Sequence, residues 1–200
     1  MTINLNEAGE QRGFEPIPTG TVVRCAVKIR PGGIGEGGWL TQTTTPKGTS
    51  QYLSAELTVL DGTHKGRKIF NNFVVEGEAA GHKEARDISF QTLRAFIESA
   101  KGIKPSDKSE TAAKARNIDS WSELNGAVVT IKVGVLPAKG DYQAKNTIAY
   151  VLTPDQVQWA APSAEEAAAA QAAATTNTAS PQSTTAASDS AVVAKPQWAQ

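Results

Sequence analysis

The stretch Gln51 to Val75, QYLSAELTVLDGTHKGRKIFNNFVV, reads as two long strands folded about a basic, glycine-bearing turn. From Tyr52 to Leu60, the residues Leu53, Ala55, Leu57 and Val59 alternate with Tyr52, Ser54, Glu56 and Thr58, the period of two that marks a strand with one buried face. Asp61-Gly62 breaks the run, because glycine accepts the positive φ of a tight turn and Asp bonds its own backbone. Lys65, Arg67 and Lys68 then lead into Ile69, Phe70, Phe73, Val74 and Val75, so cations lie beside aromatic rings on a β-ribbon. Cations attract phosphates and ring faces stack on unpaired bases; equally, such lysines keep a turn soluble and such rings fill a core. Parity separates the two phenylalanines. Lys68, Phe70, Asn72 and Val74 share one face, while Ile69, Asn71, Phe73 and Val75 share the other. Phe70 is therefore the ring expected in solvent and Phe73 the one expected in the core.

Upstream, Thr21 to Arg30 alternates Val23, Cys25, Val27 and Ile29 against Arg24, Lys28 and Arg30, which predicts a first strand with a basic wet face. PGGIGEGG, from Pro31 to Gly38, ends it, and Trp39 opens a Thr-rich stretch that reads as a long mobile loop reaching Ser50. Downstream, Ile88, Leu93, Phe96, Ile97 and Ala100 recur at helical spacing between Asp87, a plausible cap, and Gly102, a stop. Lys104 to Asn117 is polar and reads as a loop with at most a short helical turn, and Ser120 to Leu124 as a brief turn held down by Trp121 and Leu124. Ala127 to Leu136 and Tyr142 to Leu152 supply a fourth and a fifth strand about the turn at Pro137 to Asp141.

Three strands, a helix and two strands are the element order of the oligonucleotide-binding (OB) fold, a mainly β five-stranded Greek-key barrel with one helix between strands three and four. Residues 20–156 form that domain in this reading, after an N-terminal arm over 1–19. From Pro162 the chain is mostly Ala, Thr, Ser, Gln and Pro, too poor in apolar groups to offset chain entropy, so residues 157–200 are expected as a disordered tail. Ser163, Glu165 and Glu166 ahead of an alanine run would start a fraying helix there, not a packed one. The 200-residue chain has no formal net charge. Yet residues 20–75 carry seven Lys or Arg against three acids, and the chain from Pro162 one Lys against three acids, a distribution suited to a polyanion partner.

Several chemistries find no support. Gly33-Ile-Gly35-Glu-Gly37-Gly38 fits a dinucleotide fingerprint by spacing, but TrpLeuThrGlnThrThrThrPro follows where a helix is required. His64 and His82 stand apart with no ligand spacing, Glu76 and Glu78 flank Gly77 at a strand end, and no nucleophile is placed beside a base, so neither an enzyme nor a metal or other cofactor is expected. Cys25, the lone cysteine, reads as a small buried hydrophobe. The start MTINLNEAGEQRGFEP is no signal sequence, and no apolar run spans a bilayer, so a cytoplasmic protein without a membrane partner is expected.

Four segments, YLSAELTVLDGTHKGRKIFNNFVV, SFQTLRAFIESAKG, SELNGAVVTIKVGV and NTIAYVL, carry a further likeness. Over roughly Gly20 to Thr153 the chain resembles the phage-type single-stranded DNA-binding proteins, poorly characterised phage families included. The resemblance implies sequence-tolerant binding of single-stranded DNA in replication or recombination, with the second and third strands and their flanking loops as the ligand face. Phosphate contacts then fall to Arg24, Lys28, Arg30, Lys47, Lys65, Arg67, Lys68, Lys132, Lys139 and Lys145, and stacking to Trp39, Tyr52, Phe70 and Tyr142. Bacterial relatives of that class end in an acidic tip that recruits other proteins; here the end is AKPQWAQ, which leaves Pro196 and Trp198 as an aromatic anchor for replication or recombination proteins. Homo-oligomerisation is left open, and the rival function is a non-enzymatic protein-interaction or phage accessory module on the same barrel.

Overall fold

The structure, a computed structural model, describes residues 15–175. Alternation along β1 (Val22–Arg30) buries Val23, Cys25, Val27 and Ile29 and turns Arg24, Lys28 and Arg30 outward. β2 (Leu40–Thr45) and β3 (Gly48–Val59) follow as a hairpin about Pro46-Lys47, and β4 (Lys68–Gly77) returns along β3. β3 is the hub. One of its edges pairs with β4 almost throughout, from Ser50↔Gly77 to Thr58↔Lys68. The other pairs first with β2, to Leu40↔Leu53, and then with β1, from Arg30↔Ser54 to Cys25↔Val59. β1 continues to β5 (Val128–Leu136), and β5 to β6 (Lys145–Leu152), so the path is β2-β3-β1-β5-β6 with β4 on β3.

Every pairing is antiparallel, so β4 and β6 run in the direction of β1. They lie side by side, with Thr147 Oγ1 3.4 Å from Asn71 Oδ1, but no ladder joins them and the sheet is open there. α1 (His82–Lys101) fills the opening, packing on β4, β5 and β6. Its Phe96 meets Phe73 edge to face at 5.5 Å, and Leu93 and Ile97 complete the seam. Two of its serines serve strand edges: Ser89 Oγ accepts from Val74 N–H at 2.9 Å and Ser99 Oγ from Thr130 N–H at 3.1 Å. Buried amides that the ladder does not reach are thereby satisfied.

The structure departs from the sequence reading in four places. It has six strands, because the expected loop after Trp39 contains β2; only Leu40 of that strand is buried, so LTQTTT carries no alternation to read. The glycine loop before it is folded back on itself, Gly32 and Gly33 N–H both donating to Gly38 O. α1 starts at His82 behind Gly81, ahead of Asp87, and Ile88 is 56% exposed while Ser89 is buried. α2 (Glu110–Arg116) is a helix of two turns, capped by Ser109. It is tied to α1 through Glu98, a buried carboxylate that accepts from Arg94 at 2.8 Å and Arg116 at 2.7 Å. Finally, α3 (Ala164–Thr175) is packed instead of frayed. Ser163 and Glu166 cap it reciprocally, Glu166 pairs with Arg24 at 2.9 Å, and Ala170 is buried beside Gly126. The tail expected beyond it, residues 176–200, lies outside the described residues.

Candidate nucleic-acid interface

With Cys25, Val27 and Ile29, Ala55 and Leu57, and Ile69 and Phe73 in the core, the alternate residues of β1, β3 and β4 face out. Register arranges them in rows: Ala26, Thr58 and Lys68; Lys28, Glu56 and Phe70; Arg30, Ser54 and Asn72. Phe70 is 51% exposed and Phe73 2%, the division that strand parity requires. The Arg30 guanidinium carbon stands 5.9 Å from the centre of the Phe70 ring. Lys68 pairs with Glu56, and Ser54 Oγ bonds Asn72 Oδ1 at 3.0 Å. Tyr52, half-buried, follows Ser54 on the outward row of β3 opposite Val74. The face thus holds one open ring, a guanidinium beside it, two ammonium groups and a single carboxylate. Such a face can stack one base, hold two or three phosphates and offer neutral donors to base edges.

The other residues expected to bind are distributed differently. Arg24 shares β1's outward row, but its guanidinium is held by Asp61 and Glu166, and the hydrogen bond to Asp61 raises its pKa above the ordinary arginine value. Arg67 has the parity opposite to Lys68 and donates to the Glu15 carbonyl. Trp39 is half-buried against the core and lies over Gly37, so its ring is not an open stacking surface. Lys47 sits at the tip of the β2–β3 hairpin and Lys65 in the turn before β4. Lys132 faces out from β5, on the far side of β1, opposite Val22 and Tyr150. Lys139 and Tyr142 bridge each other in the β5–β6 turn, where Tyr142 is 81% exposed, and Lys145 opens β6. Pro196 and Trp198 lie outside the described residues. The fold therefore brings Lys28, Arg30, Lys68, Phe70 and Tyr52 together and separates Arg24, Arg67, Trp39 and Lys132 from them. Ser54, Glu56 and Asn72 belong to the face too, and the parity that selected Phe70 was enough to find them.

A second concavity lies between α1 and residues 116–121. Phe90 and Trp121 meet there edge to face at 6.2 Å, with Leu93, Ile97 and Ile118 beneath and Arg86 4.9 Å over the Phe90 ring. His82 Nδ1 accepts from Ala79 N–H, and among the described residues no group of three or more His, Cys, Asp or Glu side chains is placed to hold a metal. No helix among them is long and apolar enough to cross a membrane.

Neither curated proteins nor solved structures include a match to this chain. One family model does match, over residues 40–170, from the first residue of β2 into α3 and more than half of the chain. Its description gives no activity. The chain belongs to the family described as Protein of unknown function (DUF669).

Proposed function

We propose that the outer face of β1, β3 and β4 binds single-stranded DNA with little regard to sequence, without catalysis, and so covers single strands during replication or recombination. The observation that carries this reading is Phe70, a half-exposed ring on β4 with Arg30 over it, Lys28 in its own row and Lys68 in the next. A ring of this kind leaves about half of its surface to solvent, where base stacking on it contributes about 1–3 kcal/mol. Stacking tolerates every base, and cations along the strands follow the phosphate backbone. The approach of β4 to β6 and the placing of α1 between β4 and β5 favour the finer reading of the sheet as an OB barrel.

Fluorescence anisotropy with a labelled oligothymidylate tests the proposal. Phe70→Ala should weaken binding by about 5- to 150-fold, and Lys68→Ala should weaken it while leaving Glu56 unpaired on the face. Binding confined to duplex and insensitive to salt overturns the reading. The second reading, a protein-interaction module, draws on the Phe90–Trp121 concavity. It gains if oligonucleotide never binds while Phe90→Ala abolishes capture of a protein partner that Phe70→Ala still captures.

A further inference from the structure

Between Ile34 at one end and Pro46 at the other, β2 is an edge strand that, among the described residues, has no charge, bulge or covering element over Gln42 to Thr44. Natural sheets guard an open edge with lysine, proline, a bulge or a covering element. The edge of β4 away from β3 is met by α1 and β6, through Ser89 to Val74 N–H and Thr147 to Asn71. β2 pairs with β3 without register shift, and its exposed residues, Gln42 to Thr45, are uncharged.

Which backbone groups are free follows from the ladder. In an antiparallel strand alternate residues direct both N–H and C=O to the same side. Leu40 gives both of its groups to Ile34, N–H to O and O to N–H, each at 2.9 Å, on the side away from β3. Gln42 and Thr44 share the direction of Leu40, while Thr41, Thr43 and Thr45 face β3. Among the described residues no backbone hydrogen bond takes up the outward groups of Gln42 and Thr44. Pro46, with no N–H, ends the edge at one end and Ile34 closes it at the other.

This short edge complements itself. Turned about a two-fold axis at Thr43, Gln42 of one copy lies opposite Thr44 of the other, and the free N–H and C=O groups of both residues pair in two reciprocal sets. A register shifted by two residues in either direction would place Leu40 or Pro46 opposite a free group, and neither has an N–H to give. We propose that β2 pairs with β2 of a second copy of this chain, antiparallel and centred on Thr43, to form a sheet continuous across a symmetric dimer. The lack of charge on Thr41 to Thr45 leaves no like charges to oppose at the axis, which suits a copy of itself better than a charged partner. The two-fold stands perpendicular to the sheet, so the outer faces of β1, β3 and β4 lie on the same side in both copies. The dimer does not depend on what that face binds. Its consequence, one doubled surface for a single strand, rests on the function proposed above.

Sedimentation of the full chain without nucleic acid, over a concentration series, tests the interface. The wild type should dimerise. Thr44→Pro removes an outward N–H without touching the β3 ladder, and Thr43→Lys sets like charges face to face on the axis; each should weaken the dimer about tenfold or more. Thr43→Cys supplies the positive signature. A non-hydrogen-bonded pair on the axis has Cα atoms about 4.5 Å apart, inside the roughly 4.4–6.8 Å range of disulfides, and Cys25 is buried. Mild oxidation should link Thr43→Cys into a dimer much faster than Thr63→Cys, an exposed control in the turn before β4. A chain that stays monomeric, or equal cross-linking of the two variants, overturns the proposal. So does a monomer whose Gln42 and Thr44 amides are protected from exchange until residues 1–14 are removed, since the edge is then covered by the chain's own arm. Oligonucleotide binding by monomeric Thr44→Pro separates the outcomes: retained affinity with a shorter site supports the doubled surface, and absent affinity in both proteins removes the proposed function but leaves the dimer standing.

Discussion

Phe70 and Phe73 stand three residues apart on one strand, yet they have unrelated roles. Phe73 is enclosed by β3, α1 and the Phe96 ring, so Phe73→Ala should cost about 3–5 kcal/mol of stability. Phe70→Ala removes an exposed ring and a contact with Arg30, and should cost no more than about 1 kcal/mol. Urea unfolding of both variants checks the pair. Cys25 permits a pH prediction. Burial, and then the charge of Asp61, push its thiol up to about 12, against about 8.5 in an unfolded chain. The folded state holds a proton that the unfolded state releases, so the stabilisation is complete below the unfolded value and is lost as pH rises through 12. The stability gap between wild type and Cys25→Ala should therefore narrow as urea unfolding is moved from neutral to alkaline pH. At this scale the sequence was legible where a rule is local. Period two placed Phe70, Phe73 and Cys25, and would have turned Arg67 away from Lys68 had it been applied there. Arg24 was beyond such a rule, because its partners Asp61 and Glu166 come from a turn and a helix that only folding brings to it.

Elements were legible in proportion to the apolar face they bury. β1, β3 and β5 each bury an alternating or near-continuous set, and each was visible in the sequence. β2 buries only Leu40 and is a strand because β3 offers it an edge. α1 was found by its apolar period but not at its start, since His82 to Asp87 forms a polar turn ahead of the packed seam. α3 had its capping pair in view at Ser163 and Glu166; what the sequence lacked was any sign of its seat on Arg24 and Gly126. That seat is specific. A Cβ on Gly126 would stand 2.7 Å from Gln171 Cα, and φ there is +76°, so a side chain both strikes α3 and strains the turn. Gly126→Val should strip amide-exchange protection from residues 164–175 while β1 and β5 keep theirs. Glu166→Gln, which leaves the seat intact and only weakens a half-buried ion pair, should loosen the helix less, by about 1 kcal/mol or under.

Across the whole molecule the chain order of five strands and α1 was readable from their patterns, while β2, and the opening between β4 and β6 that α1 fills, depend on pairing and curvature that no pattern records. Charge shows the same division. Twenty basic and twenty acidic side chains cancel in the chain, and clustering along the sequence drew attention to residues 20–75. Folding then selects among those cations: Arg24 is neutralised by two acids and Arg67 is turned to the segment at Glu15, while Lys28, Arg30 and Lys68 remain on one face with Glu56. The salt dependence of the single-strand binding proposed above would read that selection directly. Each phosphate neutralised on a single strand contributes about −0.7 to the slope of log K against log salt concentration. Three cations on the face, with Lys65 in the turn before β4, correspond to a slope between about −2 and −3. Lys28→Ala and Arg30→Ala should each make it shallower by about 0.7, and Arg30→Ala should also lower affinity at high salt, where its contact with the Phe70 ring persists after phosphate attraction is screened. Lys132→Ala, exposed but beyond β1, should leave the slope unchanged. A reversed result, with Lys132 altering the slope and Lys28 not, would move the strand's path from β3 and β4 onto β5 and β6.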